Sequence, residues 1–396
     1  MTLNLGAVTR ELSAMSAVLA ASHHERVQQR KAARDLWLSL DASLSDILAR
    51  GMDPSSRVTW LLGTPVGPTG VMAASPPCPE HYTVVAVDGS QIEMDRHALA
   101  SLYLLNTGWA VLHYGRGERA TLANACSLKY RPEELYLTLK SGRRVPVQDE
   151  LLAALRSQEE LRRLNTVLSD AQHDRPVLAL LDGNLAAWPL TSLDQEIQDT
   201  LINERMSLCD EMRERGTLLA GYISQTRGTE GVNLLRLMLC PDRPTRCDQC
   251  SSRRATGKEA CSPLDGLTDA DVCGARLAVG ERSQLFRSHS RILDRYRADQ
   301  HVYFFYLNVG TEIARIELPA WIAHDQQRLD LLHALVLDQC DRGRGYPPAL
   351  TEAHEQAVVT SFDRELFAEL LARKLGEVGV RASTSAKQNS KLRRAV

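Results

Sequence analysis

The sequence has no long hydrophobic run and almost no net charge. No apolar stretch among the 396 residues approaches the ~18 residues that a membrane-spanning helix needs, so we expect no transmembrane helix. Residues 1–21 include Arg10 and Glu11 and lack the pattern of a signal peptide, which makes a cytoplasmic location the default expectation. The formal net charge of −2 excludes a global attraction to nucleic acid, so any nucleic-acid surface must be a local patch.

Aromatic residues and cysteines are also few. Aromatic side chains make up 5% of the chain, and nine cysteines do not suggest a disulfide scaffold in a protein of this size. The rest of the composition, 44% hydrophobic and 24% charged, is that of a globular protein with ample material for a core. The length allows one large domain or two ordinary ones.

Two short apolar segments each lead to an acidic residue that is followed by glycine. Residues 84–87 lead to Asp88, and residues 176–181 lead to Asp182. A continuous apolar run bounded by a turn residue predicts a strand buried on both faces, with the aspartate where the backbone leaves the sheet. Two such carboxylates at one sheet edge would bind a divalent cation. An Asp-Gly pair is also a common strand-ending turn, so either copy alone has a purely structural explanation.

The order of the predicted elements indicates an α/β protein with a mixed sheet. Residues 1–62 have apolar residues at helical spacing and form a predicted N-terminal helical segment, and residues 63–80 are a connector rich in Pro and Gly. After the first Asp-bearing strand we predict a hairpin, with strands at 98–105 and 109–114 and a turn at 106–108. A long helix then leads to the second Asp-bearing strand, which predicts antiparallel strands followed by a parallel crossover.

The remaining elements follow from the same patterns. We predict helices at 149–171, 193–215, 329–340 and 352–361, and strands at 218–224, 301–307 and 312–317. The last sixteen residues, 381–396, contain five Lys or Arg and no acid, and predict a disordered basic tail. Such a tail could contact phosphates non-specifically or have no role beyond being solvated.

The predicted helix at 149–171 offers a third carboxylate. Glu159 and Glu160 differ by about a quarter-turn in direction, so at most one of them faces the two aspartates. Each also has a surface ion-pair explanation, Glu160 with Arg156 and Glu159 with Arg162. We take Glu160 as the third acid and keep Glu159 as the alternative.

A loop near the C-terminus combines tyrosine, prolines and histidine. If Thr351 caps the following helix, His354 lies in its first turn, where the helix dipole opposes protonation and favours a nearby anion such as phosphate. Tyr346 precedes two prolines that stiffen the loop and restrict its ring. The alternative is that Tyr346 packs over the prolines and His354 only caps its neighbours.

Four motifs in this order resemble the NurA family of DNA-repair nucleases, over roughly residues 80–370. They are Val-Asp-Gly-Ser at Asp88, Leu-Leu-Asp-Gly-Asn-Leu at Asp182, Ala-Arg-Ile-Glu-Leu-Pro-Ala-Trp at 314–321 with His-Ala-Leu-Val-Leu-Asp-Gln from His333, and Gly-Tyr-Pro-Pro…Glu-Ala-His at 345–354. The resemblance implies a nuclease domain over residues 80–375 with an RNase H-like core.

The resemblance also implies a chemistry and partners. Members of the family cut DNA with a divalent metal, typically manganese, and work as dimers bound to a hexameric HerA-type ATPase. Asp88, Glu160, Asp182 and His354 would then hold Mn²⁺ or Mg²⁺, and Tyr346 would complete the catalytic set. The implied activity is 5′–3′ exonuclease or single-strand endonuclease action on DNA ends, by a homodimer that partners the translocase.

Two other functions are compatible with the residues. One is a catalytically silent subunit of the same fold that assembles with the ATPase or clamps DNA ends without cutting them. The other is a phosphotransferase of the actin or sugar-kinase class, whose first strand also ends near Asp-Gly. The sequence lacks the second Gly-rich phosphate-binding loop that such an enzyme needs.

A cysteine-rich stretch at 240–283 is a predicted insertion outside the family's general pattern. Cys247 and Cys250 have chelating spacing, and other cysteines nearby could supply further ligands. Zinc is the first interpretation, an iron–sulfur cluster the second, and free cysteines in a loop the alternative. The five cysteines of the stretch are Cys240, Cys247, Cys250, Cys261 and Cys273.

Overall fold

The computed structural model describes residues 4–93, 101–115, 117–170 and 174–379. The chain forms two compact units. Unit 1 consists of Met1–Ser75, Ser224–Ser290 and Tyr303–Ile316, and unit 2 consists of Pro76–Ile223, Arg291–Val302 and Glu317–Val396. The predicted basic tail lies outside the described residues. Among the described residues, no helix combines the length and the apolar composition that crossing a membrane requires.

The described α-helices are, in chain order, α1 (Leu5–Ser39), α2 (Leu44–Met52), α3 (Pro132–Leu135), α4 (Asp149–Asp170), α5 (Gln195–Glu214), α6 (Glu230–Leu239), α7 (Ser251–Thr256), α8 (Asp269–Cys273), α9 (Ala320–Ala323), α10 (Gln326–Arg342), α11 (Pro348–Ala357) and α12 (Ser361–Glu377). The described strands are β1 (Gly63–Val66), β2 (Met72–Ala73), β3 (Tyr82–Glu93), β4 (Tyr103–Tyr114), β5 (Thr121–Lys129), β6 (Tyr136–Thr138), β7 (Arg144–Pro146), β8 (Val177–Asp182), β9 (Leu218–Ile223), β10 (Arg282–Ser283), β11 (Leu285–Ser288), β12 (Val302–Asn308) and β13 (Ile313–Pro319).

Unit 2 contains a mixed sheet with the strand order β5-β4-β3-β8-β9. β3 pairs antiparallel with β4, and β4 with β5, whereas β3, β8 and β9 are parallel. The helix α4 lies in the connection to β8 and α5 lies in the connection to β9, as parallel crossovers require. This is an RNase H-like sheet, and the predicted α/β class is confirmed.

The central strands of this sheet are buried because their sequences are continuously apolar. Val84, Val85 and Ala86 of β3 have no exposed surface, and the same holds for the middle of β8. A strand that is apolar on both faces needs cover on both faces, which parallel sheets obtain from their crossover helices. The sheet is therefore a rigid base for side chains at its edge.

The structure corrects two predictions about these strands. β3 does not end at Asp88 but continues to Glu93, and β4 is one strand through the predicted hairpin turn. Asp88 pairs with Gly108, and Ser90 pairs with Asn106. The turn-forming residues are held in a strand by a tertiary contact, because the buried Asn106 side chain hydrogen-bonds α11.

In unit 1 the strand order is β1-β11-β12-β13, and the unit has a core of its own. Trp37 of α1 packs on Phe286, which stacks on Phe304 with ring centroids 5.2 Å apart. The segment 63–80, interpreted as a connector, contains β1 and β2. Pro65 fits there because β1 is at the end of the strand order, and proline within a sheet is largely confined to edge strands.

Candidate active site

Asp88 and Asp182 lie side by side on adjacent parallel strands. In the ladder between β3 and β8, Val87 pairs with Leu181, so the next residue of each strand is an aspartate. Adjacent strands are about 4.8 Å apart, and residues in register face the same side of a sheet. The two carboxylates therefore share one face at the carboxyl end of β8.

Glu160 approaches the same place from α4. A Cβ atom added to Gly89 would lie 2.5 Å from Glu160 Oε1, so the carboxylate packs directly on the backbone of β3. Since successive residues of a strand face opposite sides, Glu160 lies across the strand from the Asp88 side chain. Glu159 instead forms an ion pair with Arg162 at 3.3 Å. Of the two glutamates, Glu160 is the one on which the charges of both aspartates act.

The electrostatic surroundings of Glu160 oppose its ionisation. Burial is the largest cause and raises the pKa of Glu160 to about 8. The Arg156 guanidinium, 3.3 Å away, favours the charged form, as does Arg205. The negative charges of Asp88 and Asp182 add to the effect of burial. At neutral pH, and with no cation among these acids, Glu160 is therefore largely protonated.

The same forces act on Asp182. Burial raises the pKa of Asp182, and the neighbouring charge of Asp88 raises it further. A hydrogen bond from Tyr346 and the proximity of His354 act in the opposite direction. The pKa values of Glu160 and Asp182 are thus both raised by burial and by neighbouring carboxylates, and a cation would stabilise such a site.

His354 is placed against Asp88. Its Nδ1 lies 2.8 Å from Asp88 Oδ2, and 58% of the His354 side chain is exposed. With Nδ1 engaged by a carboxylate, Nε2 is the ring nitrogen left to face a substrate or an ion. The ring therefore lies between the Asp88 carboxylate and the solvent.

The predicted start of the helix that carries His354 is wrong. α11 begins at Pro348 rather than after Thr351, so His354 lies in the last turn. Proline is favoured at the first helical position because its missing N–H would be unpaired there in any case and its φ is already helical. The expected effect of a helix N-terminus on His354 does not apply, since the residue is at the other end.

The C-terminal end of α11 is tied to the sheet. The Ala357 carbonyl accepts hydrogen bonds from Ser90 Oγ at 2.5 Å and from Asn106 Nδ2 at 2.8 Å. These two side chains satisfy a carbonyl that has no partner within the helix. A Cβ at Gly108 would lie 2.3 Å from the Ala357 backbone nitrogen, so only glycine allows this approach. Gly108 on β4 thereby sets how close His354 comes to Asp88.

A tight loop between α10 and α11 positions Tyr346. Gly343 is enclosed, since a Cβ there would lie 1.8 Å from the Tyr346 carbonyl oxygen, and Gly345 has a φ of 111°. The Tyr346 ring packs edge-on against Tyr222, with centroids 5.2 Å apart. From this position its hydroxyl hydrogen-bonds Asp182.

Glu317 fixes the turn that follows Asp182. Its carboxylate accepts hydrogen bonds from the backbone N–H groups of Leu185 at 2.8 Å and Ala186 at 3.5 Å. Glu317 is fully buried, and it belongs to the Ala-Arg-Ile-Glu motif of the sequence. This motif therefore has a positioning role, because it holds the backbone next to Asp182.

The donor chemistry of the cluster fits a divalent cation. Asp88, Glu160 and Asp182 offer carboxylate oxygens, the ligands that Mg²⁺ and Mn²⁺ prefer, and such ions are often held by only one or two carboxylates. Within the part of the chain that the structure describes, no three His, Cys, Asp or Glu side chains already form a group that could hold a metal ion. In this arrangement Asp88 is engaged by His354, and Glu160 by Arg156.

The five cysteines of the predicted insertion do not stay together. Four of them, Cys240, Cys247, Cys250 and Cys261, line one cavity in unit 1. Cys273 is instead buried in the hydrophobic core of that unit, next to Val272. All five are free thiols.

Two residues near the site have no motif in the sequence. Arg205 of α5 is buried, and its charge acts on Glu160. It occupies the same helical stripe as Ile197, Leu201 and Cys209, so a charged residue on an apolar stripe was the signal that could have revealed it. No local sequence pattern indicates Tyr222, because it reaches the site by strand pairing with Asp182 and by its contact with Tyr346.

Solved structures with similar folds include two NurA proteins. The NurA nuclease from Sulfolobus solfataricus has a TM-score of 0.48 and 14% identity, with 87% of this chain and 96% of that chain covered. A NurA structure with manganese has a TM-score of 0.32 and 12% identity, covering 74% and 88%. The RNase H called LC9-RNase H1 has a TM-score of 0.21 and 7% identity, covering 51% and 88%. These likenesses are too distant to carry an argument about activity.

The sequence itself gives the stronger comparison. No curated protein matches it. The model of the NurA domain matches residues 82–359, which is more than half of the chain and includes all five predicted site residues. The chain belongs to the NurA family.

Proposed function

We propose that this protein is a metal-dependent nuclease that processes DNA ends. The observation that supports this most is the convergence of Asp88, Asp182 and Glu160 from β3, β8 and α4. Partly buried carboxylates that repel one another destabilise the fold, and such groups are typical of functional sites. Phosphodiester hydrolysis with a bound cation is a reaction that needs them. Membership of the NurA family is consistent with this proposal.

In this proposal Asp88, Asp182, Glu160 and Nε2 of His354 would hold one or two Mn²⁺ or Mg²⁺ ions. A bound ion would polarise the phosphodiester and activate water near neutral pH. Loss of the proton from Glu160 accompanies ion binding, because a carboxylate must be ionised to act as a ligand. A NurA protein of known structure contains manganese, which makes Mn²⁺ the first ion to test.

The chain's own side chains supply orientation. Tyr346 hydrogen-bonds Asp182 and fixes the direction of that carboxylate. His354 holds Asp88 through Nδ1, which leaves Nε2 at the exposed edge of the site as the nitrogen that would ligate an ion. Arg156 lies at Glu160 and offers a positive charge to a substrate phosphate. Each of these contacts positions a group that the reaction needs.

We also propose partners and an activity in keeping with the near-neutral charge of the chain. A protein with a formal net charge of −2 does not attract DNA by its overall field. Delivery of DNA by a ring-shaped HerA-type ATPase to a nuclease homodimer would remove that requirement. The proposed reaction is 5′–3′ exonuclease or single-strand endonuclease cleavage of the delivered ends.

The test is cleavage of end-labelled single- and double-stranded linear DNA by the purified full-length protein. Reactions contain Mn²⁺, Mg²⁺ or EDTA, with and without a HerA-type ATPase. Shortening that depends on the ion supports the proposal, and the labelled end that is lost gives the polarity. A folded protein that binds the ATPase but leaves all substrates intact would instead be an assembly subunit or a DNA-end clamp.

A further inference from the structure

The segment 240–261 of unit 1 surrounds a cavity that is lined by four thiols. The cavity has a volume of about 160 Å³ and lies between α6 and the turn after Cys261. The four cysteines are 6, 2 and 10 intervening residues apart in the sequence, yet they meet at one place. They are Cys240, Cys247, Cys250 and Cys261.

Each thiol is presented by a different piece of local structure. Cys240 caps the end of α6, and its carbonyl accepts a hydrogen bond of 2.8 Å from Arg50. Cys247 donates its backbone N–H to the Arg57 carbonyl at 3.2 Å. Cys250 lies at the start of α7, and Cys261 at the start of a single 3₁₀ turn. Four separate pieces of backbone thus present the thiols to one cavity.

This segment has almost no core to hold it in place. Between residues 240 and 260, Thr245 is the one side chain that is buried, and no cysteine of the described chain forms a disulfide. A stretch of this length that buries so little apolar surface needs a cross-link to keep one conformation. The charged residues of the lining pair with one another, Arg236 with Asp265 and Arg253 with Glu259.

The spacing of the thiols distinguishes a cluster from a single ion. A zinc ion needs four ligands at about 2.3 Å from one point, which brings the sulfur atoms into mutual contact. The four thiols surround a cavity of about 160 Å³ and not a single point, which leaves room for more than one metal atom between them. An iron–sulfur cluster separates its thiolates, because the ligands bind different iron atoms with inorganic sulfide between them.

We propose that Cys240, Cys247, Cys250 and Cys261 ligate an iron–sulfur cluster that fills this cavity and holds the segment 240–261 in place. Cys273 is not a ligand, because its side chain lies in the hydrophobic core of unit 1. Three of the four thiols are partly exposed, so iron and sulfide have a path to the site during assembly. The cluster site is separate from the proposed nuclease chemistry and does not depend on it.

The experiment measures iron, zinc and acid-labile sulfide in full-length protein purified without oxygen, together with the visible absorption spectrum. We expect about two or four iron atoms with an equal amount of sulfide per chain, the two stoichiometries that four cysteines support. One zinc atom per chain without sulfide would overturn the proposal, and so would the absence of both metals. The wild-type measurement decides this without any variant.

Variants then test which thiols are ligands. Cys247→Ser and Cys250→Ser are expected to lower the iron content at least tenfold. Cys126→Ser, which removes an exposed thiol in unit 2, and Cys273→Ala are expected to keep it. Loss of iron from Cys273→Ala with a wild-type circular dichroism spectrum, or full retention in Cys247→Ser, would contradict the assignment. If a serine variant fails to fold, resonance Raman bands of the wild-type cluster still report whether thiolates bind iron.

Discussion

At the scale of single residues, the site contains carboxyl groups whose ionised forms are disfavoured by burial and by neighbouring negative charge. Glu160 is kept in a place where burial and two neighbouring carboxylates disfavour its ionised form. Such a group lowers the stability of the fold at the pH at which the enzyme would work, which is typical of residues retained for chemistry. The raised pKa of Glu160 also makes the free energy of unfolding depend on pH, which can be measured without substrate or metal.

Replacement of Glu160 by glutamine is expected to stabilise the metal-free protein in a pH-dependent way. The pKa of Glu160 is raised from 4.5 to about 8, so the folded state keeps the proton over a range in which the unfolded state loses it. The free energy of unfolding therefore falls as the pH rises from 4.5 towards 8 and is not affected below that range. Glu160→Gln abolishes this fall, which gives a gain of about 2–4 kcal/mol at pH 8 and almost none at pH 4.

Urea denaturation in EDTA at the two pH values measures this difference. Glu159→Gln is the matched control, because Glu159 is on the same helix and pairs with Arg162 outside the carboxylate cluster. A gain of equal size at both pH values, or the same gain in the control, would show that the charge of Glu160 is not opposed in the folded state.

Gly89 is a second residue whose effect is specific. Alanine at this position would bring a Cβ within 2.5 Å of Glu160 Oε1 and 2.9 Å of its Cγ, so the carboxylate must move. We expect Gly89→Ala to lower DNA cleavage at least about tenfold, since a misplaced ligand group loses transition-state stabilisation. Gly376→Ala is the control, because a Cβ there meets no atom within 4 Å. Wild-type activity in Gly89→Ala would mean that the position of Glu160 is not important for cleavage.

At the scale of elements, the site depends on how closely α11 lies on β3 and β4. Gly108 permits the approach, and Ser90 and Asn106 hold the last carbonyl of the helix. His354 is one turn before that carbonyl, so its distance from Asp88 follows from these contacts. A polar end of a helix is rarely buried without partners, and these two side chains are its partners.

A methyl group at Gly108 tests this packing. The Cβ would meet backbone atoms of α11 at 2.3 to 2.6 Å, and backbone cannot rotate away as a side chain does. We expect Gly108→Ala to lower the free energy of unfolding by about 1–3 kcal/mol through overpacking and to reduce cleavage as His354 moves. Thermal unfolding and cleavage are measured together. A variant that keeps both the wild-type melting temperature and wild-type activity would show that α11 has room to shift.

The elements also show how far local sequence patterns can predict structure. The apolar runs before Asp88 and Asp182 predicted buried strands, because a strand that is buried on both faces needs apolar residues at consecutive positions. The hairpin turn at 106–108 was wrong, because Asn106 and Gly108 face α11, which is more than 200 residues away in the chain. The start of α11 was misplaced at Thr351 because a proline at the first helical position competes with an ordinary cap.

For the candidate site, sequence reasoning predicted residue types but not their contacts. Glu160 and Glu159 have equal ion-pair explanations in the sequence, and only the packing of α4 on β3 distinguishes them. Arg205 and Tyr222 carry no motif, since their relation to the site arises from tertiary structure. The assignment of catalytic roles remains a proposal that the variants above test.

At the scale of the whole molecule, the two units do not follow the order of the chain, because each is built from three separate segments. Unit 1 is assembled from three separate segments, in which Trp37 packs on Phe286 from nearly 250 residues away. Linear patterns could not show that the N-terminal helices and the cysteine-rich stretch share one core. Unit 2 carries all five proposed site residues, and unit 1 carries the four thiols of the proposed cluster.

The most direct measurement of the central claim is Mn²⁺-dependent cleavage of end-labelled DNA by Asp88→Asn and Asp182→Asn. Asp170→Asn, an exposed substitution at the end of α4, is the matched control. We predict that each site variant loses at least about 100-fold in rate, or about 2.7 kcal/mol in activation free energy. We also predict melting temperatures equal to or above that of the wild type, because a repelling charge is removed, and a control at full rate. Site variants that cut DNA as fast as the wild type would show that this carboxylate cluster is not the active site.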